Sequence, residues 1–429
     1  MSFTENNTEV VIIGAGIAGI SAAKNLQQNN IQHIVLEASH RIGGRAYCEE
    51  LSANNWFDLG CSYLHNGNSN PFINIAKTVK VPIDFQNGDL FNSDKTHYFS
   101  DGKQLNFNRD NPIDKIDTHL INLISKSETD KAVFEYMDPK NPYFPVTSHL
   151  FTNLNAADPD LVSAKDYLSS YYEGPDYPVP NGFGNLVKQW ASDIAVTLNT
   201  RVDSINWEGH LIKVKTSKGF ISTKKVIITV STGILAAKEI EIIPEFPKNK
   251  LNAINNLPMG TLNKIGLSFT KQIFSENEKG WYISWSSKED IKDEEIGSFQ
   301  LATSGLQNIV VFAGGRFGEW LEERGSNTMR DYAISKVEDV FGNAYARNIK
   351  NTITTAWASE PLTKGSYSYA YPTKSFARED LAKTIENKIY FAGEATEKKH
   401  YGTAHGAYFS GVRVANEIVS NFQSYVLSY

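Results

Sequence analysis

The sequence predicts an α/β protein that joins a nucleotide-binding domain to a second domain of α+β character. Three observations predict it. An apolar run at residues 10–13 leads into Gly14, Gly16 and Gly19, spaced G-x-G-x-x-G, and a second apolar run at 31–36 ends in Glu37. The chain has 429 residues, too many for one ordinary domain. Residues 81–178 show mixed periodicity and many aromatics but no glycine fingerprint, as a separate domain would.

The first unit is a strand, a turn and a helix. Val10, Val11, Ile12 and Ile13 read as a short buried strand. Gly14 lets the chain turn sharply. Gly16 leaves the backbone bare for a pyrophosphate, and Gly19 lets a helix over 20–28 pack close to the strand. The helix N-terminus offers free N–H groups and a partial positive charge to phosphates. Glu37, at the end of the second strand, can accept hydrogen bonds from a ribose diol. Gly14, Gly16, Ala18 and Gly19, with Glu37, Ala38 and Ser39, are therefore the candidate cofactor-binding residues.

Composition narrows the partners. Hydrophobic residues at 41% and charged residues at 21% are those of a globular chain. Net charge is −6, with no Lys/Arg block, which argues against nucleic acid. An acidic surface favours cationic small molecules. Two cysteines, Cys48 and Cys61, are too few for a disulfide scaffold and point to a reducing, cytoplasmic setting. Residues 1–9 lack the apolar core of a signal peptide, and no apolar run reaches the ~18 residues of a membrane span. There is no C-x-x-C or H-x-x-x-H, so no metal centre is expected.

The stretch Glu37-Ala38-Ser39-His40-Arg41-Ile42-Gly43-Gly44-Arg45 resembles the E-A-x-x-R-x-G-G-R segment of the flavin-dependent amine oxidase family. The resemblance continues in ordered segments along nearly the whole chain, nearest to the polyamine oxidase branch. It implies FAD, with the glycine pair and Arg45 passing under its diphosphate. It also implies the family's interleaved architecture, akin to p-hydroxybenzoate hydroxylase. A Rossmann-like FAD-binding domain would comprise 1–76, 179–256 and 385–429, and a substrate-binding domain 77–178 and 257–384.

The remaining elements follow in order. Asp58-Leu59-Gly60-Cys61-Ser62-Tyr63-Leu64-His65 resembles the segment that runs along the flavin in polyamine oxidases. Spacing alone makes His65 a packed histidine. The resemblance implies that it orients the substrate amine or shares a proton with it. Asn70-Pro71 opens a helix over 72–80. Residues 114–125 and 158–170 read as helices with Asp near the start. The Tyr- and acid-rich stretch 171–178 reads as a solvated loop, or as an entrance rim with Glu173 or Asp176 facing a cationic substrate. A helix over 186–194 precedes a segment that, by resemblance, meets the adenine at Val202. Residues 210–216 and 219–223 alternate like a hairpin, and 225–235 begins as a buried strand.

In the second excursion, Ile265, Leu267 and Phe269 share one face of a strand, and Lys264, Gly266 and Ser268 the other. Pattern alone makes Lys264 a solvated lysine. The resemblance implies instead a lysine that holds a water against flavin N5 and stabilises charge there. Residues 281–320 read as strands and loops, and 328–341 as an amphipathic helix. Residues 357–369 resemble the W-x-x-D-P-x-x-x-G-S-Y-S-Y segment of spermine-type oxidases, with Glu360 in place of Asp. Ser366 stands where monoamine oxidases carry a flavin-linked cysteine, which implies non-covalent FAD. Tyr367 matches one wall of an aromatic cage whose ring face attracts an amine.

Near the C-terminus, Glu394 resembles the acid that contacts the FAD ribityl-phosphate region through backbone and side chain. Residues 401–407 open a last helix over 407–421, whose dipole favours negative charge on reduced flavin. Thr403 takes the place of the second cage tyrosine, which implies a cage open to a longer, thinner amine.

The candidate catalytic residues are thus Lys264, His65, Tyr367 and Thr403. The implied reaction passes hydride from an amine α-carbon to FAD, hydrolyses the imine to an aldehyde and an amine, and reduces O2 to hydrogen peroxide. The implied substrate is spermine, spermidine or an N-acetyl derivative. Alternatives are a monoamine-type oxidase, a desaturase or protoporphyrinogen-type oxidase, a non-catalytic flavoprotein and an L-amino-acid oxidase. The last needs an arginine clamp for a carboxylate, for which Arg109, Arg316 and Arg378 are candidates. Histone-demethylase relatives carry a long helical insertion and an extra N-terminal domain, for which this sequence has no room.

Overall fold

In the computed structural model, residues 3–86, 88, 95–107, 110–170, 174–270, 274–275, 278–301 and 308–426 are described. Arg109 and Glu173 lie outside them.

The strand Phe3–Ile13 pairs in parallel with His33–Leu36 on one side and Gly219–Ile228 on the other. Val196–Thr197 adds in parallel beyond His33–Leu36, and Ile389–Phe391 beyond Gly219–Ile228. This parallel core explains the unbroken Val/Ile runs, because both of its faces are covered. Val10, Ile12 and Ile227 pack with residues of the helices Ile17–Gln28 and Ala404–Val426. Val11, Ile13, Val226 and Ile228 pack against the opposite layer, which includes Ala253, Ile254 and Leu381.

The strand Gly219–Ile228 is one element where the sequence pattern divides it in two. Its first half pairs antiparallel with Ile212–Thr216, as the hairpin pattern predicts. Its second half is the buried strand beside Ile389–Phe391. The alternation changes because the neighbour changes, not because the strand ends.

A second sheet has seven strands, in the order Ile349–Thr354, Leu262–Phe269, Asn308–Gly314, Ile296–Leu301, Gly280–Trp285, Thr96–Ser100 and Lys103–Leu105. Its pairs are antiparallel except for Gly280–Trp285 with Thr96–Ser100. Ile265, Leu267, Phe299 and Val311 pack on Leu321, Met329, Ala333 and Val337 from the helices Gly315–Arg324 and Ser326–Phe341. Tyr98, Trp281, Ile283 and Phe312 form another cluster with Ile113 and Val146 from the helices Pro112–Ser125 and Phe144–Asn155. Lys264 pairs in register with Phe312.

Helix limits differ from the pattern where side chains are claimed elsewhere. The helix Pro112–Ser125 starts at the Asn111 cap, whose side chain accepts the Ile113 N–H. The expected helix over 158–170 shrinks to Ala164–Ser169. Asp158, read as its opening acid, instead accepts the Arg316 N–H at 3.0 Å, and Ser163 is the cap. The helix Phe144–Asn155 has no clean apolar stripe, because it buries His149, Thr152 and Asn153. No described helix is long and apolar enough to cross a membrane.

Candidate functional site

One cavity of about 1490 Å³ is lined from both sheets. That exceeds the ~300–1,000 Å³ of a single small-molecule site. At one end lie Gly14, Gly16, Ala18, Glu37, Ala38, Ser39, Gly43, Gly44 and Val202.

These residues form a dinucleotide cradle. Gly14 turns at φ +105°, which a side chain rarely adopts. A Cβ on Gly16 would meet nothing within 4 Å, so the space before it is open. A Cβ on Gly19 would sit 2.0 Å from the Gly14 carbonyl oxygen, so only glycine permits this closeness of helix and turn. The Gly43 N–H donates to the Ala15 carbonyl at 2.9 Å and brings the second glycine pair against the first. The Glu37 carboxylate accepts the Ala15 N–H at 2.8 Å and the Ser39 N–H at 2.9 Å. It is held in place and keeps acceptor capacity for a diol. The bare backbone, the fixed acid and two helix starts beside the cavity suit the FAD that the sequence implies.

Arg45 donates to the Ser366 carbonyl at 2.8 Å and to Glu394 at 3.0 Å. Glu394 also accepts from the Ser368 N–H and hydroxyl and from the Gly402 N–H. Four donors fill the four acceptor positions of a carboxylate. The side chain organises Arg45 and the Gly402 turn, and Glu394 lines the cavity beside them. Burial pushes its carboxyl up, but Arg45, Arg378 and the hydrogen bonds outweigh that and hold it below the usual range. The Ser366 hydroxyl is tied to the Leu262 backbone.

Lys264 lines the cavity but is only 6% exposed. It is not a solvated lysine. Its ammonium donates to the Asp58 carbonyl at 3.1 Å, to the Gly60 carbonyl and to the Ser62 hydroxyl. An ammonium has three donors, and all three go to protein. These contacts fix the ammonium in the wall of the cavity. Burial lowers the pKa of Lys264 to about 8, against the pull of Asp58 and Cys61. The Asp58 carboxylate accepts N–H groups from Phe183 and Gly184, and burial raises it to about 6.

His65 and Asp176 were separate candidates in the sequence, and the structure joins them. His65 Nδ1 lies 2.9 Å from Asp176 Oδ2, and Asp176 Oδ1 accepts the Asn66 N–H. The pairing of Tyr63–Leu64 with Tyr177–Pro178 brings them together. Asp176 is 15% exposed, so it is not part of a solvated loop. Tyr367 lines the cavity and donates its hydroxyl to the Leu154 carbonyl at 2.8 Å. Thr403 lines it too. Its hydroxyl donates to the His400 carbonyl at 2.7 Å and accepts the Gly406 N–H at 3.0 Å, which caps the helix Ala404–Val426. That hydroxyl serves the fold.

Of the three arginine candidates for a carboxylate clamp, Arg109 lies outside the described residues and the other two stand elsewhere. Arg378 is fully buried in a two-point pair with Asp166. Arg316 pairs with Asp160 at the surface. Among the described residues, the lining arginines are Arg41, Arg45 and Arg201. Sequence reasoning missed Ser62, Asp114 and Asp117, which also line the cavity. For the two aspartates a signal existed: they share a helical stripe with Ile113, Leu120 and Ile121.

A family model described as flavin containing amine oxidoreductase matches residues 17–153 and 108–419. The chain is 26% identical to lysine-specific histone demethylase 1 homolog 2 of Arabidopsis thaliana, over 97% of this chain and 59% of that protein. It is 26% identical to probable polyamine oxidase 4 of Arabidopsis thaliana and 27% identical to polyamine oxidase 4 of Oryza sativa subsp. japonica. These alignments cover 98% and 95% of this chain and 88% of each oxidase. The chain thus spans under two thirds of the demethylase homologue and most of each polyamine oxidase. A solved double mutant of putrescine oxidase superposes with a TM-score of 0.79 at 16% identity, over 97% of this chain and 100% of that one, and has the same fold.

Proposed function

The chain belongs to the flavin-containing amine oxidoreductase family, with FAD as its cofactor, and we propose that this enzyme oxidises a C–N bond of an aliphatic polyamine with O2 as acceptor. One observation carries the reading: a single cavity joins the dinucleotide cradle to an aromatic-walled chamber containing carboxylates. Identity to demethylase homologues and to polyamine oxidases is alike, so the substrate is argued from the cavity. The reaction balances as R–CH2–NH–R′ plus O2 and water giving R–CHO, R′–NH2 and hydrogen peroxide.

Bound FAD supplies the hydride acceptor. The chain's residues do the rest. Tyr367, fixed through its hydroxyl, offers a rigid ring face to the amine. The amine nitrogen must lose its proton before oxidation, and the His65 imidazole, oriented by Asp176, takes it. The buried Lys264 ammonium stabilises negative charge developing in the cavity. Trp281 and Phe312 keep water from the chamber. Cofactor attachment is non-covalent in this reading, since Ser366 takes the linking position.

The domain division belongs to the same reading. It is supported by the strands of the parallel sheet falling within 1–76, 179–256 and 385–429, and those of the seven-stranded sheet within 77–178 and 257–384. Two free cysteines are in keeping with a cytoplasmic setting.

The test is a peroxide-coupled screen of the FAD-loaded protein. Spermine, spermidine, their N-acetyl derivatives and putrescine are compared with monoamines, neutral L-amino acids and a methyl-lysine peptide. Peroxide from a polyamine, with the matching aldehyde, is expected. Peroxide only from an amino acid or the peptide, or from nothing, overturns the substrate reading.

A further inference from the structure

The helix Phe144–Asn155 ends at the wall of the cavity. Its last three residues, Asn153, Leu154 and Asn155, all line that wall. A helix C-terminus leaves carbonyl oxygens without intrahelical donors and carries a partial negative charge. Tyr367 answers part of that demand: its hydroxyl donates to the Leu154 carbonyl at 2.8 Å and to that of Asn153 at 3.3 Å. The last turn of the helix therefore stands at the hydroxyl end of the ring on which the amine is seated.

The side chain of Asn153 is a second, independent observation. It is 6% exposed, and its Oδ1 is buried with no hydrogen-bond partner among the described residues. Buried amide oxygens rarely go unsatisfied. The sense of the amide is set from behind. His149, one turn earlier, does not line the cavity. Its Nδ1 faces the Asp293 carboxylate at 3.4 Å, so that nitrogen carries the ring proton. Nε2 is then an acceptor, and it takes an N–H of Asn153 Nδ2 at 3.1 Å. With the nitrogen committed to His149, the oxygen faces away from it. A Cβ on Gly314 would come within 2.9 Å of that oxygen, so the sheet leaves it room only because position 314 is glycine. Helix carbonyls and an amide oxygen together make a wall of neutral acceptors, which matches a ligand that brings N–H groups.

We propose that Asn153 Oδ1 accepts an N–H of the amine seated on the Tyr367 ring, and that Asp293 and His149 are positioning residues that hold the amide in that sense. This rests on the amine-oxidase reading above and adds a requirement: the site selects primary and secondary amines over fully N-substituted ones. A neutral acceptor suits the chemistry. A carboxylate at this place would favour the ammonium and oppose the loss of its proton. The amide oxygen accepts from the ammonium and from the neutral amine alike, so the contact survives when the proton passes to His65.

The experiment measures binding by calorimetry under argon, using FAD-loaded protein. The probes are n-octylamine and its N-methyl, N,N-dimethyl and N,N,N-trimethyl derivatives. All carry one positive charge at neutral pH, and the last has no N–H. The wild type is expected to bind the N-methyl probe about tenfold more tightly than the trimethyl probe, or better. Asn153→Leu, which keeps the bulk, and Asn153→Ala, which only truncates, should each lower that ratio about tenfold. His149→Phe should lower it less. His149→Gln, whose carbonyl oxygen can take the Asn153 N–H, should keep most of it. Thermal midpoint and flavin absorbance show that each variant is folded and loaded. A wild type without the preference, or Asn153 variants with the wild-type ratio, overturns the contact, and His149→Phe with that ratio overturns the positioning role. Bleaching of the flavin by the probes, spermine and spermidine is followed in parallel. Selective binding without bleaching by any of them would leave the contact standing and sink the oxidase reading.

Discussion

Lys264 shows what a single residue can be asked to do once its partners are known. Its three N–H groups reach Asp58, Gly60 and Ser62, and they carry a positive charge in the wall of the cavity. That charge depends on pH. With the pKa lowered to about 8, the ammonium is present below pH 8 and is lost as pH rises through it. If the charge assists reaction of reduced enzyme with O2, the second-order rate constant should fall across that pH. Lys264→Met should be slower, by tenfold or more, and flat over the same range. Stopped-flow reoxidation from pH 6.5 to 9.5 checks this, and a variant that keeps the wild-type profile removes the role. Residue identities at the site were legible because the glycine, lysine and histidine motifs are local strings. Their partners were not. Nothing in the sequence ties His65 to a carboxylate 111 positions on, and Thr403 gives no sign that its hydroxyl caps a helix. Arg378 read as a clamp candidate because a chain cannot announce a buried Asp166.

At the scale of elements, the glycine fingerprint separates into two kinds of requirement. Gly19 is needed by the fold, since a Cβ there would lie 2.0 Å from the Gly14 carbonyl oxygen. Gly16 is needed only by the ligand, since a Cβ there meets nothing within 4 Å. Gly16→Ala should keep the thermal midpoint of the FAD-free protein and weaken FAD binding tenfold or more, read by fluorescence titration. Gly19→Ala should lower that midpoint itself. Equal behaviour of the two would contradict the assignment. The strand–turn–helix at the start and the hairpin near residue 216 were legible because each is closed by neighbours in sequence. The helix Phe144–Asn155 was not, since its buried polar residues break the apolar period. The continuous strand Gly219–Ile228 looked like two because its partners change midway.

Across the whole molecule, a buried polar chain runs from Asp166 through Arg378, Ser368 and Glu394 to Arg45. It links distant parts of the sequence behind the cavity. Arg378→Met would leave Asp166 and Glu394 without their central cation. The expected loss is about 3–5 kcal/mol, measured by denaturant unfolding of the FAD-loaded protein. Adding Asp166→Leu should recover part of it, because the stranded charge goes too. A single variant as stable as wild type would show that the chain is not structural. The parallel sheet has another consequence, one of timing. The strand Phe3–Ile13 waits for Gly219–Ile228, and the helix Ile17–Gln28 waits for Ala404–Val426. Ribosomes add roughly 5–20 residues per second. For most of its synthesis the nascent chain therefore displays an unpaired strand edge and an uncovered apolar helix face, both templates for association. The moment at which these surfaces are covered, and at which FAD can first be held, is set by the arrival of the helix Ala404–Val426.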